Sequence, residues 1–479
     1  MECNTETDLL KSPTLDSKWY IFKRRRYLVA FLAFLGITNI YAIRVNLSVA
    51  IVAMTSEQLS VVKLENGTTI STLVQEFDWD SKLRGLVLSS FFYGYICTQA
   101  LGGYLSRRFG GARLFGIGVA VSALLTLITP PLARLSVYFL ILLRILQGLF
   151  QGVTFPCMHA LWSEWAPPME RTQLASLATS GIYVGLVATN PICGILTEIF
   201  GWEADFYVTG SIALIWSLIW FWTVRNRPAD DPHISTEELK YIHDSLCKSS
   251  SDSKMPIPWR NIITSMPVWA ITVAMFTGDW GCYTLLTQLP TFMKETLNFN
   301  LAEAGILSAL PYVGMALVMQ IAGFLVDWVR SNYLTTKQTR KLFTCTAFTC
   351  QAICIFAVSY MNTPVGVVSC LIISCSIGAF ACAAFDINNL DIAPQHACVI
   401  KGLENTISSM AGVLSPTLAG YLVQHKEASE WKNVFLITSC VYMFGSIFYG
   451  MFADGEIQSW AKNETQSGKR KAEPKDAEV

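Results

Sequence analysis

Charged residues are scarce in this chain. Only 15% of its 479 residues are Asp, Glu, Lys or Arg, whereas 52% are hydrophobic. Soluble domains carry about 25% charged residues, so the composition excludes an ordinary soluble domain and indicates an integral membrane protein. The 35 basic and 35 acidic residues cancel, and the net charge therefore gives no reason to expect a nucleic-acid partner.

Motifs of catalysis and metal binding are also missing from the sequence. The chain contains no HExxH, no GxSxG and no phosphate-binding loop with its lysine. Its 14 cysteines lie mostly inside apolar runs without CxxC spacing, so we interpret them as reduced packing residues. We therefore expect a protein that is not an enzyme and that needs no cofactor and no metal.

The N-terminal segment does not have the pattern of a cleaved signal peptide. A polar tail, 1–26, ends in the basic run KRRR, and the apolar run after it is too long for a cleaved signal. A basic cluster before a membrane span is expected to stay in the cytoplasm. Within the tail, ETDLL at 6–10 resembles an acidic dileucine sorting signal; an ordinary disordered tail is the alternative.

Apolar stretches of about 20 residues, the length that crosses the hydrocarbon core of a bilayer, recur along the chain. Twelve are predicted, and a polar loop at 225–266 divides them six and six. Basic residues concentrate in the segments that this count places inside, which favours a cytoplasmic location for both chain ends. The predicted spans are residues 27–54, 82–105, 112–131, 135–160, 172–195, 205–224, 267–292, 303–327, 341–361, 365–388, 396–423 and 432–453.

An internal repeat relates the two sets of spans. GGYLSRRFGGAR at 102–113 follows span two, and AGFLVDWVRSN at 322–332 follows span eight, six spans later. The predicted fold is therefore all-α, with twelve transmembrane helices in two pseudo-symmetric six-helix bundles. Its segments are a cytoplasmic tail at 1–26, the bundles at 27–224 and 267–453, a cytoplasmic linker at 225–266 and a second cytoplasmic tail at 454–479.

The second copy of the repeat carries Asp327 and Arg330. We interpret these two residues as a charged latch on the cytoplasmic side, with a plain tight turn as the alternative. The first copy has Arg107 at the position of Asp327, and there we favour the plain turn.

Arg44 lies past the middle of predicted span one. Tyr41 and Ser48 stand one turn before and after it on the same helix face. An ionised side chain at membrane depth is costly unless it faces a cavity or a partner. We interpret Arg44 as part of a transport pathway; a structural pair with an intramembrane acid is the alternative.

A second arginine, Arg144, lies inside predicted span four. Its helix face also carries Gln151, while Gly148 and Gly152 have the four-residue spacing that lets membrane helices approach closely. We assign Arg144 to the same pathway, with snorkelling or a structural pair as the alternative.

Several long motifs occur in an order that resembles one transporter family. Together they resemble the branch of the major facilitator superfamily that contains sialin, the vesicular glutamate transporters and the type I phosphate transporters, with sialin-like members closest. The motifs are IRVNLSVAIV at 43–52, SSFFYGYICTQALGGYLSRRFGG at 89–111, GVTFPCMHALWSEWAPPMER at 152–171, YTLLTQLPTFMKE at 283–295 and LDIAPQHA at 390–397.

The resemblance implies the major facilitator fold and a central substrate cavity lined by spans one, four, seven and ten. In the family, the arginine of the first motif receives the carboxylate of the substrate, a role that the planar guanidinium fork suits. The branch carries sialic acid, acidic amino acids, nucleotides, phosphate and urate, so the resemblance does not select one substrate. The predicted substrate-binding residues are Arg44, Tyr41, Arg144, Tyr283 and Asn388.

The chain departs from the family pattern at the expected proton-coupling position. Family members carry a Glu where this chain has Gln151, which cannot titrate, and a His where it has Asn389. Asp279 and Asp386, in spans seven and ten, are acids where relatives mostly carry neutral residues. Because a carboxyl group withdrawn from water takes up a proton more readily, we hypothesise that coupling has moved to Asp279, Asp386 or both. Na⁺ coupling and facilitated exchange are the alternatives.

Two other polar positions have structural interpretations. Lys401 and Glu404 in span eleven are three residues apart, and we interpret them as a mutual ion pair. Asp391, in the LDIAPQHA motif, is assigned a structural role at a helix end.

These features predict a secondary active transporter of small organic anions, of the sialic acid and acidic sugar class or the acidic amino acid class, driven by protons through alternating access. A Na⁺-coupled phosphate or organic anion cotransporter and a facilitative exchanger are the alternatives; a channel or receptor fits the six-plus-six repeat less well. The two acids leave room for a zwitterionic solute. We expect a monomeric membrane glycoprotein, with Asn66 as the glycosylation site, in lysosomes or other intracellular vesicles, or alternatively in the plasma membrane.

Overall fold

A computed structural model describes residues 24–63, 69–167, 170–247, 258–297, 299–361 and 363–461. These residues are almost entirely helical, as predicted. A two-stranded antiparallel hairpin, which the sequence interpretation did not anticipate, lies in the loop after the first span and pairs β1 (Glu57–Lys63) with β2 (Thr69–Gln75). Asn66 and the ETDLL segment lie outside the described residues, so the glycosylation site and the sorting signal stay predictions.

Nine helices make up the first six predicted spans. Three of these spans are broken into two helices each, and the break in span three bends the axis by 50° where Pro130 and Pro131 begin the second helix. The helices are α1 (Arg25–Met54), α2 (Ser81–Phe109), α3 (Gly111–Leu127) with α4 (Thr129–Leu135), α5 (Val137–Gly152) with α6 (Thr154–Trp165), α7 (Arg171–Thr179) with α8 (Gly181–Phe200), and α9 (Glu203–Thr223).

The linker contains a 3₁₀ turn and two short helices. In the second half, the helices Leu301–Asn332 and Thr336–Val358 each begin with a capping box, built on Asn300 with Glu303 and on Thr335 with Gln338. The elements are the turn Pro228–Asp230, α10 (Thr236–Cys247), α11 (Trp259–Thr264), α12 (Met266–Glu295), α13 (Leu301–Asn332), α14 (Thr336–Val358), α15 (Pro364–Phe385), α16 (Asn388–Ile392), the turn Pro394–His396, α17 (Ala397–Ser408), α18 (Met410–Leu422) and α19 (Ala428–Phe452).

Among the described residues, eight spans are long and apolar enough to cross a membrane, and the bent pair α3–α4 makes a ninth. The other three predicted spans are α2, α12 and the pair α17–α18, which do not reach the same apolarity. All three contact the opposite half, because α2 packs on α18 and α12 packs on α1. These three spans therefore lie at the boundary between the halves.

The apolar cores follow the two halves. One large cluster of buried side chains lies between residues 29 and 224, and another lies between residues 262 and 461. Smaller clusters bridge them, for example Val45 and Leu186 with Leu286 and Tyr312. This separation supports two bundles, whose exact limits stay a prediction.

Glycines in α5 bring this helix directly against α2. A Cβ atom built on Gly148 would lie 1.9 Å from the Phe91 carbonyl oxygen, and one on Gly152 would lie 2.5 Å from that of Tyr95. The four-residue glycine spacing had predicted such an approach. It places the aromatic face of α2 beside the arginines of α1 and α5.

Candidate substrate site between the two halves

The guanidinium of Arg44 lies among three aromatic rings. Its central carbon is 4.7 Å from the ring centre of Tyr41, 4.8 Å from that of Phe91 and 5.0 Å from that of Tyr95. Arg44 is 5% exposed, and its Nη2 donates a long hydrogen bond of 3.5 Å to Gln151 Oε1. Cation–π contacts hold the group in place without neutralising its charge.

Two guanidinium nitrogens of Arg44, Nε and Nη1, have no hydrogen-bond partner within the described parts of the chain. Buried polar groups are normally satisfied, so such donors call for a ligand or ordered water. The alternative of a structural pair with an acid is not seen, since no described Asp or Glu forms an ion pair with Arg44. The site can therefore receive an anion.

A narrow cavity adjoins this guanidinium. It has roughly the room of a water molecule in this conformation. A larger solute therefore requires the two halves to move apart. The lining side chains come from α1, α2 and α5 of the first half and from α12 of the second: Arg44, Ser48, Leu88, Phe91, Phe92, Arg144, Leu286 and Thr287.

Arg144 lines the same cavity, but most of its donors are already used. Nη1 donates to Gln147 Oε1 at 2.9 Å and to the Ile43 carbonyl at 3.3 Å, and Nη2 donates to the Arg44 carbonyl at 3.3 Å. The two bonds to carbonyl groups fasten α5 to the backbone of α1. Arg144 thus positions Arg44, and its predicted contact with substrate stays a prediction.

The other predicted substrate residues are divided between the cavity and the protein interior. Tyr41 belongs to the aromatic set, and Tyr283 packs edge-on against Phe92 across the boundary, with ring centres 4.6 Å apart. Asn388 is different: it is fully buried and donates to the Tyr449 hydroxyl at 2.9 Å. The helix breaks between α15 and α16, and Asn388 contacts α19 and does not line the cavity.

The predicted proton-coupling acids lie in the second half. Asp279 is partly buried on α12, one turn before Tyr283. Asp386 follows the end of α15, is 52% exposed and forms an ion pair with Lys401. Lys401 also lies 3.5 Å from Glu404, the pair expected from sequence. Asp386 is thus bound within its own half and does not approach Arg44.

The predicted latch is confined to one helix. Asp327 and Arg330 form an exposed ion pair of 3.4 Å within α13. Asp391 pairs with the buried Arg340 at 2.8 Å, in agreement with a structural role. In this conformation the described latch residues do not connect the two halves.

Sequence reasoning missed Phe91 and Tyr95. They are four residues apart on α2, on the face that packs against Gly148 and Gly152. The sequence feature that could have indicated them is two aromatic residues one helical turn apart, opposite the small residues of another helix. In an apolar helix this pattern is also typical of ordinary packing.

Two helical halves around a buried, unpaired cation define a membrane transporter that opens alternately to its two sides. The chain belongs to the major facilitator superfamily, whose family model matches residues 47–397. As predicted, the protein is a multi-pass membrane transporter of the secondary, organic anion class and not an enzyme.

Curated relatives match nearly the whole chain. Human sialin (Homo sapiens) is 40% identical over 456 residues, covering 92% of this chain and 91% of sialin. Vesicular glutamate transporter 1 of Bos taurus is 39% identical over 448 residues, covering 92% and 79% of the two chains. These similarities confirm the predicted branch of the family.

Solved structures are similar in fold at low sequence identity. The inward open conformation of the xylose transporter XylE from E. coli has a TM-score of 0.69 at 14% identity, covering 92% of this chain and 99% of that one. A bacterial homolog of the human lysosomal transporter Spinster, in an inward-facing and unoccupied conformation, has a TM-score of 0.66 at 15% identity, covering 89% and 96%. At such identities the likeness shows the fold alone.

Proposed function

We propose that the protein is a proton-coupled symporter of small organic monoanions, with sugar acids and acidic amino acids as the solute classes. The observation that carries this proposal is the unpaired Arg44 guanidinium, held by aromatic rings at a cavity between the halves. A planar guanidinium fork matches a carboxylate in a bidentate geometry. The solute's carbon skeleton would then pack on Phe92 and Tyr283.

The free donors of the site favour a carboxylate over inorganic phosphate. Arg44 leaves both Nε and Nη1 free, whereas the hydrogen bonds of Arg144 leave only its Nε free. A phosphate dianion would require a second such group. The similarity to sialin and to vesicular glutamate transporters, the latter named for an acidic amino acid, supports the same class of solute.

Proton coupling must use a group other than position 151. Gln151 is neutral and contacts Arg44 directly. Carboxyl groups that could load a proton lie across the boundary in the second half, including Asp279 and Asp386. A protonated acid would tolerate the anion, whereas an ionised one would repel it. Na⁺ coupling and facilitated exchange are the competing mechanisms.

We place the protein in an intracellular vesicle membrane. The relatives named as vesicular transporters support this location, and the ETDLL segment would supply a sorting signal. The plasma membrane is the alternative. Imaging a tagged full-length chain with and without Leu9→Ala and Leu10→Ala would distinguish the two, because loss of a functional signal would move the protein to the cell surface.

Uptake into proteoliposomes tests the proposed function. Sialic acid, glucuronate, aspartate, glutamate, phosphate and urate would each be offered with and without an inward proton gradient, in Na⁺ and in choline. We expect at least one carboxylate to accumulate with the proton gradient and without Na⁺. Arg44→Gln should abolish this uptake, whereas Arg108→Gln, at an exposed surface position, should not.

Two results would contradict the proposal. Accumulation that requires Na⁺ and ignores the pH gradient would exclude proton coupling. Uptake of phosphate alone, or full carboxylate uptake by Arg44→Gln, would exclude the proposed solute class and the role of Arg44.

A further inference from the structure

Glu404 is a carboxyl group that the proposed site does not use. It lies on α17 and is 0% exposed. Neither of its carboxylate oxygens has a hydrogen-bond partner among the described residues. Lys401 Nζ stands 3.5 Å from Oε2, within ion-pair distance but without a hydrogen bond. An ionised carboxylate in this environment lacks the donors that it would need.

Lys401 is shared between two acids. It makes a close ion pair with Asp386 and the longer contact with Glu404. Side-chain exposure falls from 52% at Asp386 to 25% at Lys401 and 0% at Glu404. The three residues thus form a short path from the inner mouth of the protein to its interior.

The groups around this path come from several elements. Asp279 on α12 and His159 on α6 interact electrostatically with Lys401. Asp279 also interacts electrostatically with Asp386 and Arg44. From α2 and the start of α18 the neighbours are neutral: the Ser409 hydroxyl donates to Gln99 Oε1 at 3.2 Å. The charged and titratable groups around the path are Asp279, Asp386, Lys401, Glu404, His159 and Arg44, with Cys382 on α15 and Tyr183 on α8 beside Asp386.

The cluster of Asp386, Lys401 and Glu404 is neutral only when one of its acids is protonated. The close Lys401–Asp386 pair leaves Glu404 without a donor, which is the geometry of a protonated Glu404. Asp386 is half exposed and already pairs closely with Lys401.

We infer that Glu404 carries the coupled proton, and that Lys401 moves between Asp386 and Glu404 as this proton is lost and gained. The inference rests on the proposed proton-coupled function and names the group that performs it. On deprotonation the O–H bond of Glu404 breaks, the proton passes to water at the inner mouth, and Lys401 turns toward the new carboxylate. The net charge of the three residues then changes from zero to −1.

This change of charge couples the proton to the solute. With Glu404 protonated, the second half adds no further negative charge opposite an anion on Arg44. Once Glu404 releases its proton to the cytoplasm, the added negative charge repels the bound anion. The anion then leaves to the cytoplasm as well. For net uptake, the empty and deprotonated carrier must then return to the outer-facing state, where a new proton and a new anion bind.

Transport by Glu404→Gln tests the inference, with labelled sialic acid and glutamate as probes. With one proton per solute, a pH gradient of one unit can raise the inside-to-outside concentration ratio of the solute to at most about tenfold. Gln cannot release a proton, so in Glu404→Gln this ratio should fall to about onefold. Exchange of labelled for unlabelled solute needs no net proton movement and should persist. Asp205→Asn is the matched control, because Asp205 is equally buried but bonded to Thr197 at 2.6 Å in the first half; it should keep both activities.

A second measurement does not depend on a solute. Infrared difference spectra of the purified wild-type protein between neutral and alkaline pH should contain the C=O band of a protonated carboxylic acid that loses its proton. Because Asp205 is another buried carboxyl group, the spectra are compared in the Asp205→Asn background. There, Glu404→Gln should lack the band, whereas the protein with Glu404 and the Glu404→Asp variant should retain a band from position 404.

The outcomes separate the two proposals. Full gradient-driven accumulation by Glu404→Gln, or an unchanged carboxylic acid band, overturns the role of Glu404 while leaving proton coupling intact. A wild-type protein that exchanges solute but ignores the pH gradient overturns proton coupling itself. Glu404→Gln could also lose exchange, and in that case Glu404→Asp, which keeps a carboxyl group, should restore gradient-driven uptake. If neither variant transports although the wild-type protein shows the infrared band, the inference is overturned.

Discussion

Arg84 and Glu295 form an ion pair between the two halves of the protein. Arg84 Nη1 lies 2.7 Å from Glu295 Oε1, and the two side chains are only 8% and 9% exposed. Arg84 is near the start of α2 and Glu295 ends α12, so the pair lies on the side predicted to face away from the cytoplasm. It joins the same two helices that meet at the candidate site.

Close backbone contacts flank this pair. The Cα atom of Gly420 on α18 lies 3.1 Å from a Cβ atom built on Gly85 of α2. A Cβ atom built on Gly305 of α13 would lie 2.5 Å from the Asn190 carbonyl oxygen on α8. On the opposite side, His159 and Asp386 are exposed. The outer side is therefore closed in this conformation.

Breaking the ion pair should favour the outward-open state. Removing one partner of a buried pair costs about 3 kcal/mol. In Glu295→Gln, a cysteine introduced at Thr291, which lines the space beside the pair, should react more than tenfold faster with an impermeant maleimide added from outside. The measurement is the labelling rate in sealed vesicles, with the Thr291→Cys protein alone as reference.

The ion pair of Glu76 with Arg134 provides the matched control. It lies on the same side, at 2.9 Å, but it is exposed and both partners belong to the first half. Glu76→Gln should leave the labelling rate unchanged. An equal increase in both variants would mean that position 291 becomes accessible through a general decrease in stability and not through loss of the Arg84–Glu295 pair.

Restoring a carboxylate at position 151 should make solute binding sensitive to pH. Gln151 Oε1 is 3.5 Å from Arg44 Nη2, so a Glu there would pair with the guanidinium and compete with an anion. For Gln151→Glu we expect the KM for carboxylate uptake to rise at neutral pH by about tenfold and to recover at acidic pH. Gln151→Met, of similar length and uncharged, should show no such pH dependence; the same dependence in both variants would argue against competition at Arg44.

The positions of the spans could be predicted from hydropathy, but the breaks within them could not. Predicted span eleven, 396–423, is two helices that meet at Ser409, whose hydroxyl donates to the Asn405 carbonyl at 2.7 Å and to Gln99 of α2. Span five likewise breaks at Ser180. Such breaks depend on hydrogen bonds from side chains to the backbone and on contacts with neighbouring helices. The hydropathy averaged along a span contains no information about either.

The candidate site was predictable where an ionised group lies in an apolar run. Arg44 was identified in this way, because a charge at membrane depth is conspicuous in sequence. Phe91 is an ordinary apolar residue in sequence, and only the packing of α2 against α5 places it on Arg44. The pairing of Arg84 with Glu295 joins residues 211 positions apart, a contact that no local pattern encodes.

Replacing the two central arginines should have opposite effects on stability. Arg144 makes two hydrogen bonds that join α5 to the backbone of α1 and a third within α5, and its loss should lower the free energy of unfolding by about 2 kcal/mol. Arg44 is a buried charge without an ionic partner, so Arg44→Gln should leave stability unchanged or increase it. Thermal unfolding in detergent and uptake assays on the same variants check these predictions. Both variants should lose uptake, but only Arg144→Gln should unfold at a lower temperature. Equal destabilisation would contradict the division into a positioning residue and a substrate ligand.

An ion pair near the cytoplasmic end of α1 should make stability depend on pH. Arg26 Nε donates to Glu170 Oε2 at 2.7 Å and Nη2 to Oε1 at 3.0 Å, and Nη1 also reaches Glu238 of the linker helix α10 at 3.1 Å. Burial raises the pKa of the Glu170 carboxyl, but the hydrogen bonds and charge of Arg26 outweigh it and hold this pKa below its usual value. Because the folded state lowers the pKa, the stabilisation is present above the unfolded value of about 4.3 and is lost as the pH falls through the lower folded value.

Glu170→Gln should therefore be less stable than wild type at neutral pH, by about 1 kcal/mol after allowing for solvent screening. The difference should shrink as the pH falls below about 4, where the wild-type carboxyl also becomes protonated. Melting temperatures of both proteins across this pH range measure it. Glu164→Gln, an exposed position at the end of α6, should follow the wild-type curve. A difference between Glu170→Gln and wild type that stays constant down to the lowest pH would show that Glu170 acts through its shape and not through its charge.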